Sequence, residues 1–305
     1  MKFQRRQVLK AAGGAAVAYG TPLFSLGDDP SRDRRALVIV GPSNHPPGTH
    51  EVKAGGRLMA DCVNRLGLDG LSAEVSVGWP EDRSSIENAA TLVFIGDKFP
   101  AEAVKNRQQA MADVVGAMSR DCGIVCIHYA TGLEEQHVAP YHAKGEQHPL
   151  LTWMGGYFAT RCKHHKSIAR LMKATIEPTA VEHPILRGWQ EFKFDDEPYI
   201  NNYLGPDGLA ENVTPLATSM LPPNDPTEQI TAWSVERKDG GRGVGIVMPH
   251  YYRNWLVDDL RTFVTNAIVW SAGFNVPEEG CRTPKPELAK YEPDAIEPRR
   301  KAGGY

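Results

Sequence analysis

The chain has 305 residues, 41% of them hydrophobic and 23% charged, with a formal net charge of −3. That length and balance suit a globular protein with a sizeable core, one large α/β domain or two small ones. The negative net charge argues against nucleic acid as a main partner, since phosphate binding needs a basic face. Five scattered cysteines with no CxxC pair exclude a disulfide framework and a zinc-finger module, and read as core residues.

The first 34 residues carry Arg5-Arg6, then Val8-Leu9-Lys10, then a weakly hydrophobic Ala/Gly-rich run. This arrangement resembles a twin-arginine export signal followed by a disordered junction. The run is too short and too rich in glycine for a membrane span. The expectation is an exported, periplasmic protein with no membrane span after signal removal.

From residue 35 the pattern alternates. Residues 35–41 (RALVIVG) form a short apolar run expected as a buried central strand, ending in a Pro/Gly loop with His45, His50 and Glu51. Helical spacing predicts a helix over 52–66, a strand over 71–77, a strand over 91–96, one helix over 101–120 and a strand over 123–130 that ends at His128-Tyr129. Such alternation predicts a mostly parallel, doubly wound sheet with right-handed crossovers. Residues 131–160 show no strong period and read as loops over the sheet edge. Further strands are expected at 168–176, 192–194, 216–220 and 230–236. The stretch DGGRGVGIVMPHYYRNW (239–255) reads as a glycine turn, an apolar strand over 244–248 and an abrupt stop at Pro249-His250, before a last helix over 257–272. Residues 274–305, rich in proline and charge, read as an extended tail, leaving 35–273 as a single domain.

Eight blocks in order resemble the ThuA-like family, named for trehalose utilisation: HEVKAGGRL (50–58), SVGWPED (76–82), GIVCIHYA (123–130), WMGGYF (153–158), HPILRGWQEFKFDDEPY (183–199), WSVERKDGGRGVGI (233–246), PHYYRNW (249–255) and NAIVWSAG (266–273). The resemblance is to the long exported bacterial forms. It implies a flavodoxin-like, class I glutamine amidotransferase-like α/β fold and a sugar or glycoside as the ligand. The chain departs from the family at Pro249, usually glycine, and at Tyr252, often a second histidine. Its loop Arg161-Cys162-Lys163-His164-His165 is also unusual.

Ligands of open α/β sheets bind at the carboxyl ends of strands, so residues there are the site candidates. His250 and His128 are the preferred acid/base pair, with Glu197 and Asp196 orienting them or sharing the proton in chemistry such as ketosugar isomerisation. His128 could equally be a hydrogen-bonded structural histidine. No small-x-Cys/Ser-x-Gly turn surrounds Cys126 or His128, so neither a nucleophile elbow nor glutaminase chemistry is expected. His50, Glu51, Tyr129, Trp153, Tyr199, Tyr251 and Trp255 are the candidate substrate contacts. No cofactor is assigned. A mixed nitrogen/oxygen site for a divalent metal, drawn from His45, His50, Glu51, His128, His250 and Glu197, stands as an alternative, and with it a metal-dependent hydrolase. A non-catalytic carbohydrate-binding protein using the same cleft is a third reading.

Overall fold

A computed structural model describes residues 33–292 and 296–298; the export-type segment lies outside them. In chain order the elements are β1 (Arg34–Val40), α1 (Val52–Arg65), β2 (Leu71–Val77), α2 (Ser84–Glu87), β3 (Ala89–Ile95), α3 (Pro100–Ala103), α4 (Arg107–Met118), β4 (Gly123–Ile127), β5 (Gly132–Leu133), α5 (Glu135–His142), α6 (Pro149–Met154), β6 (Phe158–Ala159), β7 (Met172–Pro178), β8 (Phe192–Asp196), β9 (Val213–Leu221), β10 (Thr227–Glu236), β11 (Arg242–Ile246) and α7 (Asp258–Ser271).

Nine strands form one sheet in the order β2-β1-β3-β4-β11-β10-β9-β7-β8, and β5 pairs with β6 apart from it. The pairings from β2 through β11 are parallel, which makes this half the expected flavodoxin-like sheet. From β11 outwards the pairings are antiparallel. The glycine turn before β11 is a hairpin: Arg237 N–H donates to the Gly241 carbonyl, and β10 and β11 pair from Ala232–Ile246 to Glu236–Arg242.

The parallel strands are covered on both faces, so they read as continuous apolar runs rather than alternations. Leu37 to Val40, Leu92 to Phe94 and Ile124 to Ile127 are all buried. Helix α7 is buried along its whole length from Leu260 to Ser271, as a central helix must be. Helix α1 approaches the sheet through Gly56, where an added Cβ would meet Val40 Cγ2 at 2.6 Å. All five cysteines are free and buried, as expected. Among the described residues no helix is long and apolar enough to cross a membrane.

Three expectations are corrected. The single helix over 101–120 is two, α3 and α4, because Val104 is extended (φ −84°, ψ 157°). The break turns Glu102 inwards, where it accepts from His148 Nε2 at 3.0 Å and meets Arg107 Nε at 3.1 Å. The region 131–160 is not irregular: it holds β5, α5, α6 and β6. These pieces are too short to show a period and are set by their ends. His148 caps α6 by accepting from Leu150 N–H, Gly155 closes it in a left-handed conformation, and Glu134 with His137 forms a capping box on α5. The strand expected over 168–176 begins only at Met172, with Ile168 making an isolated bridge to Ile200.

Candidate metal centre

The sheet order β2-β1-β3-β4 reverses direction between β1 and β3, the switch point at which an open sheet leaves a crevice. Gly41 and Gly96 end these two strands so closely that a Cβ on Gly96 would lie 2.9 Å from Gly41 Cα. Four chain segments leave the sheet around this crevice and each delivers one polar side chain: His50 after β1, Asp97 after β3, His128 after β4 and His250 after β11.

Backbone pairing fixes the depth of the first and last. His50 N–H donates to the His250 carbonyl at 2.9 Å, Tyr252 N–H donates to Gly48, and Thr49 bridges Tyr251. His50 and His128 both take left-handed backbone angles (φ 44° and 50°), a conformation uncommon for non-glycine residues and concentrated at functional sites. His128 therefore stands on a sharp turn at the strand end. The sequence lacks the small-x-Cys/Ser-x-Gly signature, and the side chain carried on this turn is an imidazole rather than a nucleophile. The strain is carried by packing: His128 is 3% exposed and Thr131 Oγ1 donates to its carbonyl.

The three imidazoles converge. His50 Nε2 lies 2.9 Å from His128 Nε2 and 3.0 Å from His250 Nδ1. Glu197 Oε2 stands 3.3 Å from His250 Nδ1 and 3.8 Å from His128 Nε2. All four donor atoms lie within 4.8 Å of one another.

The outer nitrogens are committed elsewhere. His50 Nδ1–H donates to Asp97 Oδ1 at 2.6 Å, and His128 Nδ1–H donates to the Val247 carbonyl at 2.9 Å. A metal-ligating histidine typically spends its second ring N–H on a carboxylate or a backbone carbonyl in this way, which fixes the tautomer. Both inner Nε2 atoms thus present lone pairs. Burial lowers the His50 pKa to about 4, with His45 and His250 reinforcing it against the Asp97 hydrogen bond. Burial, then His50 and His250, holds His128 well below the ordinary imidazole range. Burial pushes Asp97 up, but hydrogen bonds from His45, His50 and the Asn44 N–H outweigh it and leave a firm carboxylate. Near pH 7 His50 and His128 are therefore uncharged beside the Asp97 carboxylate. Lone pairs facing one another at 3 Å repel, and a cation between them removes the repulsion. Ligand nitrogens stand roughly 3.3 Å apart around a tetrahedral cation, close to the spacing found.

The other expected site residues divide. Tyr199 is buried, stacks on the His128 ring at 4.7 Å between centroids and brings its hydroxyl 3.2 Å from His128 Nε2. Its phenol is pushed far up by burial and then by Glu197, so it is a neutral donor. Tyr129 stands edge-on to His50 at 5.8 Å and Tyr251 edge-on to His250 at 4.8 Å. Glu51, Tyr129 and Trp255 line a cavity of about 10 Å³ beneath His50, His128 and His250, a volume on the order of one water.

Two residues are placed otherwise than expected. Asp196 is fully buried and points away from the open side: it accepts from His250 N–H at 2.9 Å, from Glu197 N–H at 2.7 Å and from the Asn254 amide. It clamps the backbone of two donors rather than facing a ligand. Trp153 packs its carbonyl against Gly243 at the start of β11, the opposite end of that strand from His250. Asp97 was not expected at all. Its one sequence feature, a carboxylate just past an apolar strand, is shared by ordinary surface turns, and it belongs to none of the family-like blocks.

No family model matches the chain, and no curated protein matches it. Among solved structures, a ThuA-like protein from Bacteroides uniformis superposes with a TM-score of 0.54 at 13% identity, covering 80% of this chain and 95% of that one. Agd3, a carbohydrate deacetylase, gives a TM-score of 0.45 at 11% identity, over 79% of this chain and 32% of that one. At such identity the likeness is one of architecture: the chain has the fold of a ThuA-like protein.

Proposed function

We propose that the chain is a divalent-cation-dependent enzyme acting on a sugar derivative, with His50, His128 and His250 around the cation and Glu197 beside it. The observation that carries this reading is the pair of Nε2 atoms on His50 and His128, 2.9 Å apart with both Nδ1 protons spent on Asp97 and Val247. It displaces the histidine acid/base pair as the leading reading. Burial holds His128, one member of that pair, well below the ordinary imidazole range, so it is a weak base with no proton to give at neutral pH. The sugar class rests on the ThuA-like sequence blocks, with the fold in agreement.

The reaction that suits the centre is enolisation of a ketosugar. A cation held by His50, His128 and His250 would supply Lewis-acid polarisation of the substrate's carbonyl oxygen. Tyr199, a neutral phenol at the rim of the same cluster, donates a hydrogen bond to that oxygen as charge develops. Glu197, the most open of the four donors with an 18% exposed side chain, takes the proton from the adjacent carbon and returns it to the neighbouring position. Asp97 holds His50 in its tautomer, and Asp196 holds the backbone that carries His250 and Glu197.

Hydrolysis is the second reading, favoured by three nitrogen donors with a carboxylate alongside, an arrangement able to activate a water. One NMR experiment in heavy water separates the two. Purified protein is mixed with 3-keto-glucosides and with trehalose, before and after chelation. Isomerisation places deuterium on the carbon beside the carbonyl without releasing a second sugar, whereas hydrolysis releases one. Binding without either product returns the non-catalytic reading, and turnover unaffected by thorough chelation removes the cation from the reaction.

A further inference from the structure

We propose a second cation site on this protein, independent of the first, in which Glu135, Cys162 and His164 take a thiophilic ion such as zinc. Their donor atoms lie within 4.8 Å of one another, and a carboxylate, a thiol and an imidazole form a mixed set of the kind that zinc accepts. The three come from different elements. Glu135 opens α5, and Cys162 and His164 lie in the loop that follows β6. The β5–β6 pair brings them together, with Gly132 opposite Phe158 and Leu133 opposite Ala159.

The loop is held in this shape by contacts that aim the donors. Arg161 takes a left-handed turn (φ 54°). Lys163 N–H donates to Glu135 Oε2 at 2.7 Å, fixing the carboxylate beneath the loop. The Tyr157 hydroxyl lies 3.0 Å from His164 Nε2. Cys162 S–H is directed at two carbonyls at ordinary sulfur distances, 3.3 Å to Leu133 and 3.5 Å to Thr160.

A second observation points to a ligand here. The ring of His142 stands edge-on to His164 at 4.5 Å, and its Nε2 is closed off from solvent with no hydrogen-bond partner among the described residues. His164 also lines an open cavity of about 560 Å³ with His142, His165 and Tyr203.

The plainer reading is a buried thiol packed as a small apolar group. It leaves unexplained why a carboxylate, a thiol and an imidazole from separate segments gather within 4.8 Å. A reactive cysteine is disfavoured, because burial and then Glu135 push the Cys162 thiol up to about 12. Cation binding would displace that proton to solvent, forming the cation–sulfur bond and releasing one proton per ion.

The test is cobalt substitution of the metal-stripped full chain, read by absorption spectroscopy. Cobalt bound to a thiolate gives an intense sulfur-to-metal charge-transfer band. The His50–His128–His250–Glu197 centre has no sulfur and gives only the weaker d–d bands. Wild type is expected to show the charge-transfer band, zinc to bleach it, and Cys162→Ser to abolish it while the d–d bands persist. His250→Ala should leave the charge-transfer band intact, so failure of the first centre and failure of this site are distinguishable. If Cys162→Ser does not fold, His164→Ala at the surface serves instead and should weaken cobalt binding at that band by roughly tenfold or more. No charge-transfer band in folded wild type, a band that survives Cys162→Ser, or unchanged affinity in His164→Ala overturns the proposal.

Discussion

His50 and His128 bring their Nε2 atoms to 2.9 Å although each has already given its Nδ1 proton to another acceptor, Asp97 in one case and the Val247 carbonyl in the other. Two lone pairs directed at one point are an arrangement a fold tolerates when something positive sits between them. A proton would serve, but burial and the neighbouring imidazoles oppose protonation of both rings. A metal cation serves better, and Glu197 adds a negative charge on the same side.

Cation loading should therefore stabilise the folded chain. A ligand that binds only the native state at about a hundredfold its Kd contributes roughly 2.7 kcal/mol. Metal-stripped protein is expected to gain several degrees in melting temperature with zinc or manganese. His50→Ala and His250→Ala should lose most of the gain with manganese, which disfavours the thiol site.

Asp97→Asn tests the outer shell. The amide keeps the shape but removes the charge that fixes the His50 tautomer, and losses of about 10–100-fold in metal affinity are usual for such partners. Competition with a chelator should show a fall of this size while the circular dichroism spectrum is unchanged. An unchanged affinity would leave Asp97 as a simple structural partner.

Asp196→Ala is expected to act on stability. It leaves the His250 and Glu197 N–H groups and the Asn254 amide without their buried acceptor. Each stranded buried donor costs about 1–3 kcal/mol, so urea denaturation should show a loss of roughly 3 kcal/mol or more. Asp196→Asn, which keeps one acceptor oxygen, should recover part of it.

Acid should weaken the metal-free protein. His50 and His183 each have a folded pKa of about 4 against an ordinary 6.5, both mainly through burial, with Arg242 adding to the effect at His183. Between these values the unfolded chain takes up protons that the folded chain refuses. Stability is thus fully present above pH 6.5 and is lost as the pH falls towards 4, by at most about 3 kcal/mol for each histidine. Denaturant midpoints measured at pH 7.5, 6 and 4.5 should fall in that order, and His183→Gln should flatten part of the slope.

The legible parts of the sequence were those with long-range pattern. The apolar runs of β1, β3 and β4 and the glycine hairpin before β11 announced a sheet with its polar residues at one edge, and His128, His250 and Glu197 could be read as neighbours there. The short capped helices α5 and α6 were hidden because capping by His148 and Glu134 leaves no period. Asp97 was hidden because a lone carboxylate after a strand differs from a surface turn only through its partners. The inward direction of Asp196 was illegible for the opposite reason: three carboxylates in a row look alike until one finds three buried donors.

The most direct test of the cation centre is anomalous diffraction from crystals of the full chain soaked in zinc, recorded on both sides of the zinc edge. The account predicts a peak at about 2.0–2.1 Å from His50 Nε2, His128 Nε2 and His250 Nδ1, with the Glu197 carboxylate alongside. Ordered imidazoles in the same orientation with no anomalous density between them would contradict it.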